Sequence, residues 1–89
     1  ELGEFGITVN AICPGYSNTS LTQNQIAKQA RVRGISETDV VEKVLMEPAA
    51  IKNLIEPDEI ASLALFLASD DARSITGAAL SIDSGWTAR

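Results

Sequence analysis

The chain has 89 residues, seven of them basic and twelve acidic, for a formal charge of −5, and 45% of its residues are hydrophobic. That is the composition of a small globular domain, or part of one, and not of a disordered tail. The acidic balance argues against nucleic-acid binding, which relies on clustered Lys and Arg, and no apolar run approaches the roughly 20 residues that span a bilayer.

Cys13 is the single cysteine, which excludes an internal disulfide, and no histidine is present to activate it as a thiolate. It lies in an apolar run and reads as core. Nothing in the sequence predicts a metal site. Lys28, Arg31 and Arg33 form a local basic group that reads as a solvated helix face. The chain opens Glu1-Leu2-Gly3-Glu4, with neither a methionine nor a signal-peptide pattern. Cytoplasmic residence is the expectation, together with a beginning that was processed away or is missing.

In chain order, 1–5 reads as the end of a helix begun upstream. The run Ile7-Thr8-Val9-Asn10-Ala11-Ile12-Cys13 predicts a strand, closed by Pro14-Gly15. Ile7, Val9, Ala11 and Cys13 follow the strand period and Ile12 adds an apolar residue on the other face, as in a parallel sheet covered on both sides. A polar helix is expected over 20–33, with Leu21, Ile26, Ala27, Ala30 and Val32 as its apolar contacts and Gly34 as its stop. Ser36 and Asp39 then form an S-x-x-D cap, and the next helix carries Val40, Val41, Val44 and Leu45 on one face and ends before Pro48. This thin-striped pair over 20–47 fits a mobile lid and an ordinary helical hairpin equally well.

The third helix opens with Pro57 at its first position and Asp58 and Glu59 in its first turn, where the helix dipole favours acids. Ile60, Leu63, Ala64 and Leu67 recur at i, i+3, i+4 and i+7, and Asp70, Asp71 and Ala72 close it. After Ile75-Thr76-Gly77, the residues 78–83 alternate as a second strand. Two strands with three helices between them are a βαααβ piece of an α/β protein. Two strands alone make a poor sheet, so the piece calls for further strands.

Asn10-Ala11-Ile12-Cys13-Pro14-Gly15 followed by Thr19 resembles the sixth strand and nicotinamide loop of the short-chain dehydrogenase/reductase family. Glu56-Pro57-Asp58-Glu59-Ile60-Ala61, Phe66-Leu67-Ala68-Ser69-Asp70, Ile75-Thr76-Gly77 and Asp83-Ser84-Gly85 continue the match in family order across nearly the whole chain. The resemblance implies the C-terminal portion of a Rossmann-type, doubly wound parallel sheet, with 1–89 as part of one dinucleotide-binding domain and 20–47 as substrate-lid helices. It also implies hydride transfer between alcohol or ketone and a nicotinamide cofactor. The family's catalytic serine, tyrosine and lysine have no counterpart here: the single tyrosine is Tyr16, and the residue four further on is Ser20. No catalytic residue is therefore expected in these residues, and the resemblance places that part of the family's domain before Glu1.

Asn24-Gln25-Ile26, Arg33-Gly34-Ile35-Ser36 and Gly85-Trp86-Thr87-Ala88 are similar to the branch that interconverts (R)-3-hydroxybutyrate and acetoacetate with NAD. The resemblance implies cofactor binding by Pro14, Gly15, Ser17 and Thr19, with the Ser17 backbone at the nicotinamide carboxamide and Thr19 near the phosphates. From the residues alone, Pro14-Gly15 is also a strand-ending turn and Thr19 or Ser20 a helix N-cap. For the substrate, the resemblance implies Gln25 at the carboxylate, since an amide donates to an anion without adding charge, and Tyr16 against the small molecule. Trp86 either closes the site or fills a subunit interface. Ser17, Asn18, Ser20 and Ser84 depart from the residues common in the family. The implied assembly is a homotetramer built through helix 57–70 and strand 78–83. Two other readings stand beside this one: a reductase of 3-oxoacyl thioesters, and a non-catalytic interaction module. The choice between NAD and NADP rests on a family element outside these residues.

Overall fold

The computed structural model describes residues 2–88, so the ends of the predicted first helix and of the tail, Glu1 and Arg89, lie outside the described residues. Two strands, β1 (Ala11–Pro14) and β2 (Ala79–Ile82), pair in parallel, with Ala11 opposite Ala79 and Pro14 opposite Ile82. Between them run α1 (Ser20–Arg33), α2 (Glu37–Asp39), a π-helical segment (Val40–Leu45) and α3 (Pro57–Leu67). The βαααβ order is the expected one, and the chain is α/β. Before β1 lies a 3₁₀ turn, Leu2–Phe5, in place of the expected α-helical end.

Both strands are shorter than predicted, because side chains take over the pairing at their amino ends. The Asn10 amide donates to the Ile75 carbonyl at 3.0 Å and accepts from the Ala78 N–H at 3.0 Å, acting as a substitute peptide group. One residue earlier, the Val9 N–H donates to Thr76 Oγ1 at 3.1 Å while the Gly77 N–H donates to the Val9 carbonyl at 2.8 Å. The Ile75-Thr76-Gly77 motif is thus the partner of Val9-Asn10.

Helix α1 has the predicted bounds. Thr19 caps it by accepting from the Thr22 N–H at 3.2 Å, and Gly34 ends it in the left-handed region at φ +66°. The Ser36 hydroxyl accepts from the Asp39 N–H at 3.1 Å, as the S-x-x-D pattern predicts. The following turn departs from expectation: it is π-helical, with the Met46 N–H donating to the Val41 carbonyl at 2.8 Å. In an α-helix, residues five apart sit about 140° from one another. A π-turn brings them onto one face, and this lets Val40 (0% exposed) and Leu45 (7%) enter the same core.

That core, made of Ile26, Val40, Leu45, Met46 and Ala49 with Ala30, Val41, Val44 and Leu54 packed around it, lies wholly within the helical unit. The Lys52 ammonium closes the unit by donating to the Met46 and Glu47 carbonyls at 3.0 and 2.6 Å. Helix α3 stops at Leu67, three residues before the predicted end, and a 3₁₀ turn at Asp70–Ala72 follows it. Its start is as predicted, with Pro57 in the first turn and the Glu59 carboxylate accepting from the Glu56 N–H at 2.8 Å. Ile60, Leu63 and Leu67 of its stripe are half-buried, whereas Ala64, Leu65 and Phe66 are exposed.

Cys13 is exposed, contrary to the expectation that it is core. On β1, Ile12 is half-buried while Ala11 and Cys13 lie open, because no layer among the described residues covers their face.

Candidate functional site

At the carboxyl ends of the two strands, Pro14-Gly15-Tyr16 and the turn after β2 line an open crevice of ≈ 390 Å³. Pro14, Gly15 and Tyr16 form one wall, and Asp83, Trp86 and Thr87 the other. Crevices at this end of parallel strands are where ligands bind in open α/β sheets. The chain leaves β1 sharply: the Gly15 N–H donates to the Ile82 carbonyl at 3.1 Å, and a Cβ at Gly15 would lie 2.9 Å from the Asp83 Cβ. Only a glycine permits this approach.

Beyond Gly15 the loop runs beside Ile55. The Ile55 N–H donates to the Tyr16 carbonyl at 2.8 Å and the Asn18 N–H donates to the Ile55 carbonyl at 2.7 Å. In this bridge the N–H of Ser17 is directed away from Ile55 and has no partner among the described residues, while its carbonyl accepts from the Thr19 N–H at 3.0 Å. The Asn18 amide donates to both Glu56 carboxylate oxygens, at 3.0 and 3.2 Å, and accepts from the Gln23 amide at 2.6 Å. The loop is therefore fastened to the start of α3 and the first turn of α1.

The structure brings Pro14, Gly15, Tyr16 and Trp86 together around one cavity, with Ser17 and Thr19 on the loop that continues from it. It does not bring Gln25 to the cavity wall; its side chain is exposed on α1, beside the buried Ile26. Thr19 occupies its N-cap position, where its oxygen is engaged as an acceptor. Trp86 is 37% exposed, and its indole N–H donates to the Leu45 carbonyl at 3.0 Å.

Asp83 carries a part in the site that sequence reading left unassigned. It is the buried charged residue among those described. Its carboxylate accepts from the Gly85 N–H at 3.0 Å, the Thr87 N–H at 3.3 Å and the Thr87 hydroxyl at 2.7 Å. Hydrogen bonding by the Thr87 hydroxyl, reinforced by the backbone N–H groups of the turn, holds the carboxyl below the ordinary Asp range against the opposing effect of burial. An Asp followed by Ser-Gly at a strand end is the signal for such a turn, because Asp side chains bind the backbone two residues on. Ser84 keeps the left-handed backbone at φ +59° that a glycine would adopt more easily, and its hydroxyl donates to the Asn53 carbonyl at 3.3 Å.

Residues 1–87 match the family described as enoyl-(acyl carrier protein) reductase. The D-beta-hydroxybutyrate dehydrogenase of Rhizobium meliloti is 51% identical over 89 residues, covering 100% of this chain and 34% of the relative. The acetoacetyl-CoA reductase of Shinella zoogloeoides is 44% identical over 80 residues, 90% of this chain and 29% of the relative. This chain thus spans about a third of the length of the curated relatives it matches. Among solved structures, a short chain dehydrogenase family protein from Francisella tularensis superposes with a TM-score of 0.84 at 36% identity, covering 99% of this chain and 36% of that one. A 4-hydroxyisoleucine dehydrogenase solved with NADH gives 0.77 at 32% identity, covering 99% and 32%. With its parallel strands, its crevice at their carboxyl ends and these relatives spread along its whole length, the chain belongs to the short-chain dehydrogenase/reductase family.

Proposed function

We propose that this chain forms the nicotinamide-facing loop, the substrate lid and an assembly surface of an NAD-dependent oxidoreductase that interconverts (R)-3-hydroxybutyrate and acetoacetate. The observation that carries the reading is the loop after β1: the Ser17 N–H, without a partner among the described residues, beside a crevice lined by Gly15, Tyr16 and Trp86. A carboxamide needs a donor for its oxygen and an acceptor for its NH₂ group, and the Ser17 N–H and carbonyl offer both. The bound nicotinamide would supply the hydride chemistry of the reaction.

The chain's own residues bind and orient. Thr19 Oγ1 accepts from the Thr22 N–H and lies 3.1 Å from Thr22 Oγ1, and with Thr22 donating in that pair the Thr19 hydroxyl turns its proton to a phosphate oxygen at the amino end of α1. Tyr16 packs against the small aliphatic substrate, and Trp86 helps to close the open side of the crevice. Gln25, exposed on the lid helix, donates to the substrate carboxylate when the lid carries it inward. No proton-transfer role falls to any residue of this chain. We also assign α3 and β2 to a homotetramer, which the exposure of Leu65 (75%) and Phe66 (45%) on α3 supports. The protein is read as cytoplasmic; among the described residues no helix is long and apolar enough to cross a membrane.

The identity to an acetoacetyl-CoA reductase favours a second reading, reduction of 3-oxoacyl thioesters. Gln25→Leu in the full protein separates the two, because only a free carboxylate needs the amide. A hydrogen bond to a charged group contributes about 1.5–3 kcal/mol, so kcat/KM for 3-hydroxybutyrate is expected to fall roughly ten- to hundred-fold. A change below roughly two-fold, with turnover of the thioester retained, would move the assignment to the second reading.

A further inference from the structure

The helical unit and the sheet meet at few places, and one of them runs through a single side chain. The Trp86 indole donates to the carbonyl of Leu45, the last residue of the π-helical segment, at 3.0 Å. This carbonyl lies at a helix end, where backbone acceptors lack partners from the helix itself. Around the same joint, the Ile51 N–H donates to the Ser84 carbonyl at 2.9 Å, and a Cβ at Gly85 would lie 2.9 Å from the Ala50 Cβ. The turn that holds Trp86 is in turn fixed by the buried Asp83 carboxylate, whose own Cβ sits against Gly15.

We propose that Trp86 is a positioning residue: its indole N–H ties the carbonyl end of the lid to the Asp83-anchored turn, and so sets the lid's place over the Gly15 loop. The proposal rests on reading 20–47 as the lid. Because the helical unit keeps its own core of Ile26, Val40, Leu45, Met46 and Ala49, it can shift as a body without unpacking. Its position then depends on such joints and not on shared core. Trp86 itself is 37% exposed, so the bond to Leu45, more than burial, fixes its ring. The path Gly15, Asp83, Trp86, Leu45 links the cofactor loop to the lid without passing through the substrate.

The test is hydrogen exchange by mass spectrometry on the full protein without ligands, comparing the parent with Trp86→Phe, which keeps an aromatic wall and loses the donor. Amides of 45–49 are expected to exchange roughly three- to ten-fold faster, the size of one neutral hydrogen bond lost, with amides of 11–14 unchanged. The KM for 3-hydroxybutyrate should rise by a similar factor while the KM for cofactor moves less than roughly two-fold. Thr87→Val leaves the indole in place and loosens the Asp83 anchor, and it should shift exchange at 45–49 in the same direction. Unchanged exchange at 45–49 in both variants overturns the proposal, as does equal acceleration in the strands. Faster exchange confined to 45–49, in a protein that does not oxidise 3-hydroxybutyrate, upholds the tie and removes the functional reading instead.

Discussion

Replacing Gly15 with alanine tests whether the close approach of the loop to Asp83 holds the site together. The added methyl would stand 2.9 Å from the Asp83 Cβ and 3.1 Å from its Cα. The obstructing atoms belong to backbone and to a side chain pinned by three hydrogen bonds, so neither moves freely. Gly15 is not in the left-handed region, and on backbone grounds alone alanine would stabilise by about 0.4–1 kcal/mol through the unfolded chain. Overpacking of this kind costs about 1–3 kcal/mol, so a net loss of roughly 1–2 kcal/mol is expected. Denaturant unfolding of the full protein would show it as a lower midpoint at unchanged slope. On the proposed function, binding of the nicotinamide cofactor should weaken as well, because the loop must move to relieve the contact. A midpoint equal to or above the parent's would refute the argument, since it would mean that the turn yields without resistance.

Asn10→Leu leaves the Ala78 N–H and the Ile75 carbonyl without their side-chain partner in a half-buried place, a loss of about 1–3 kcal/mol that equilibrium unfolding would measure. Retained stability would mean that water replaces the amide fully. Asp83 gives a pH dependence: because its folded-state pKa is lowered, its contribution is present at neutral pH and is lost as the pH falls through that lowered value, below the ordinary Asp value of about 4. Asp83→Asn should therefore be less stable than the parent at pH 7 and show a flatter acid profile, measured by thermal unfolding from pH 7 downward. Parallel profiles for the two proteins would exclude Asp83 as the acid-sensitive group.

The elements whose local chemistry carries a stop or a cap were legible in the sequence. Thr19 or Ser20 and Gly34 bracketed α1, Ser36 opened α2, and Pro57 with its acids opened α3, because each signal acts through its own backbone neighbours. The π-turn was not legible. Val40, Val41, Val44 and Leu45 suit an α-helical face as well, and the core they share with Ile26 and Ala49 is a tertiary contact that local periodicity does not reveal. Cys13 misled because a continuous apolar run implies cover on both faces, while the covering layer for one face is not among these residues. Of the site, the loop and Trp86 were marked in advance by resemblance. Asn10 and Asp83 were quoted within motifs and given no task, although an Asn in a strand and an Asp before Ser-Gly are both poor strand formers whose side chains bond to backbone.

The separation of the helical core from the sheet has a kinetic consequence. All five buried members of that core lie between Ile26 and Ala49, so their meeting closes only short loops. The strands, by contrast, must bring together residues 68 positions apart, as at Asn10 and Ala78. Closing such a loop from a flexible chain costs roughly 4 kcal/mol in entropy before any pairing repays it. Once the helical unit has collapsed, much of the intervening chain is shortened into a compact body, and the remaining search is brief. The helical unit would then be the early-forming part of the chain, and the crevice between the strand ends would come into being last.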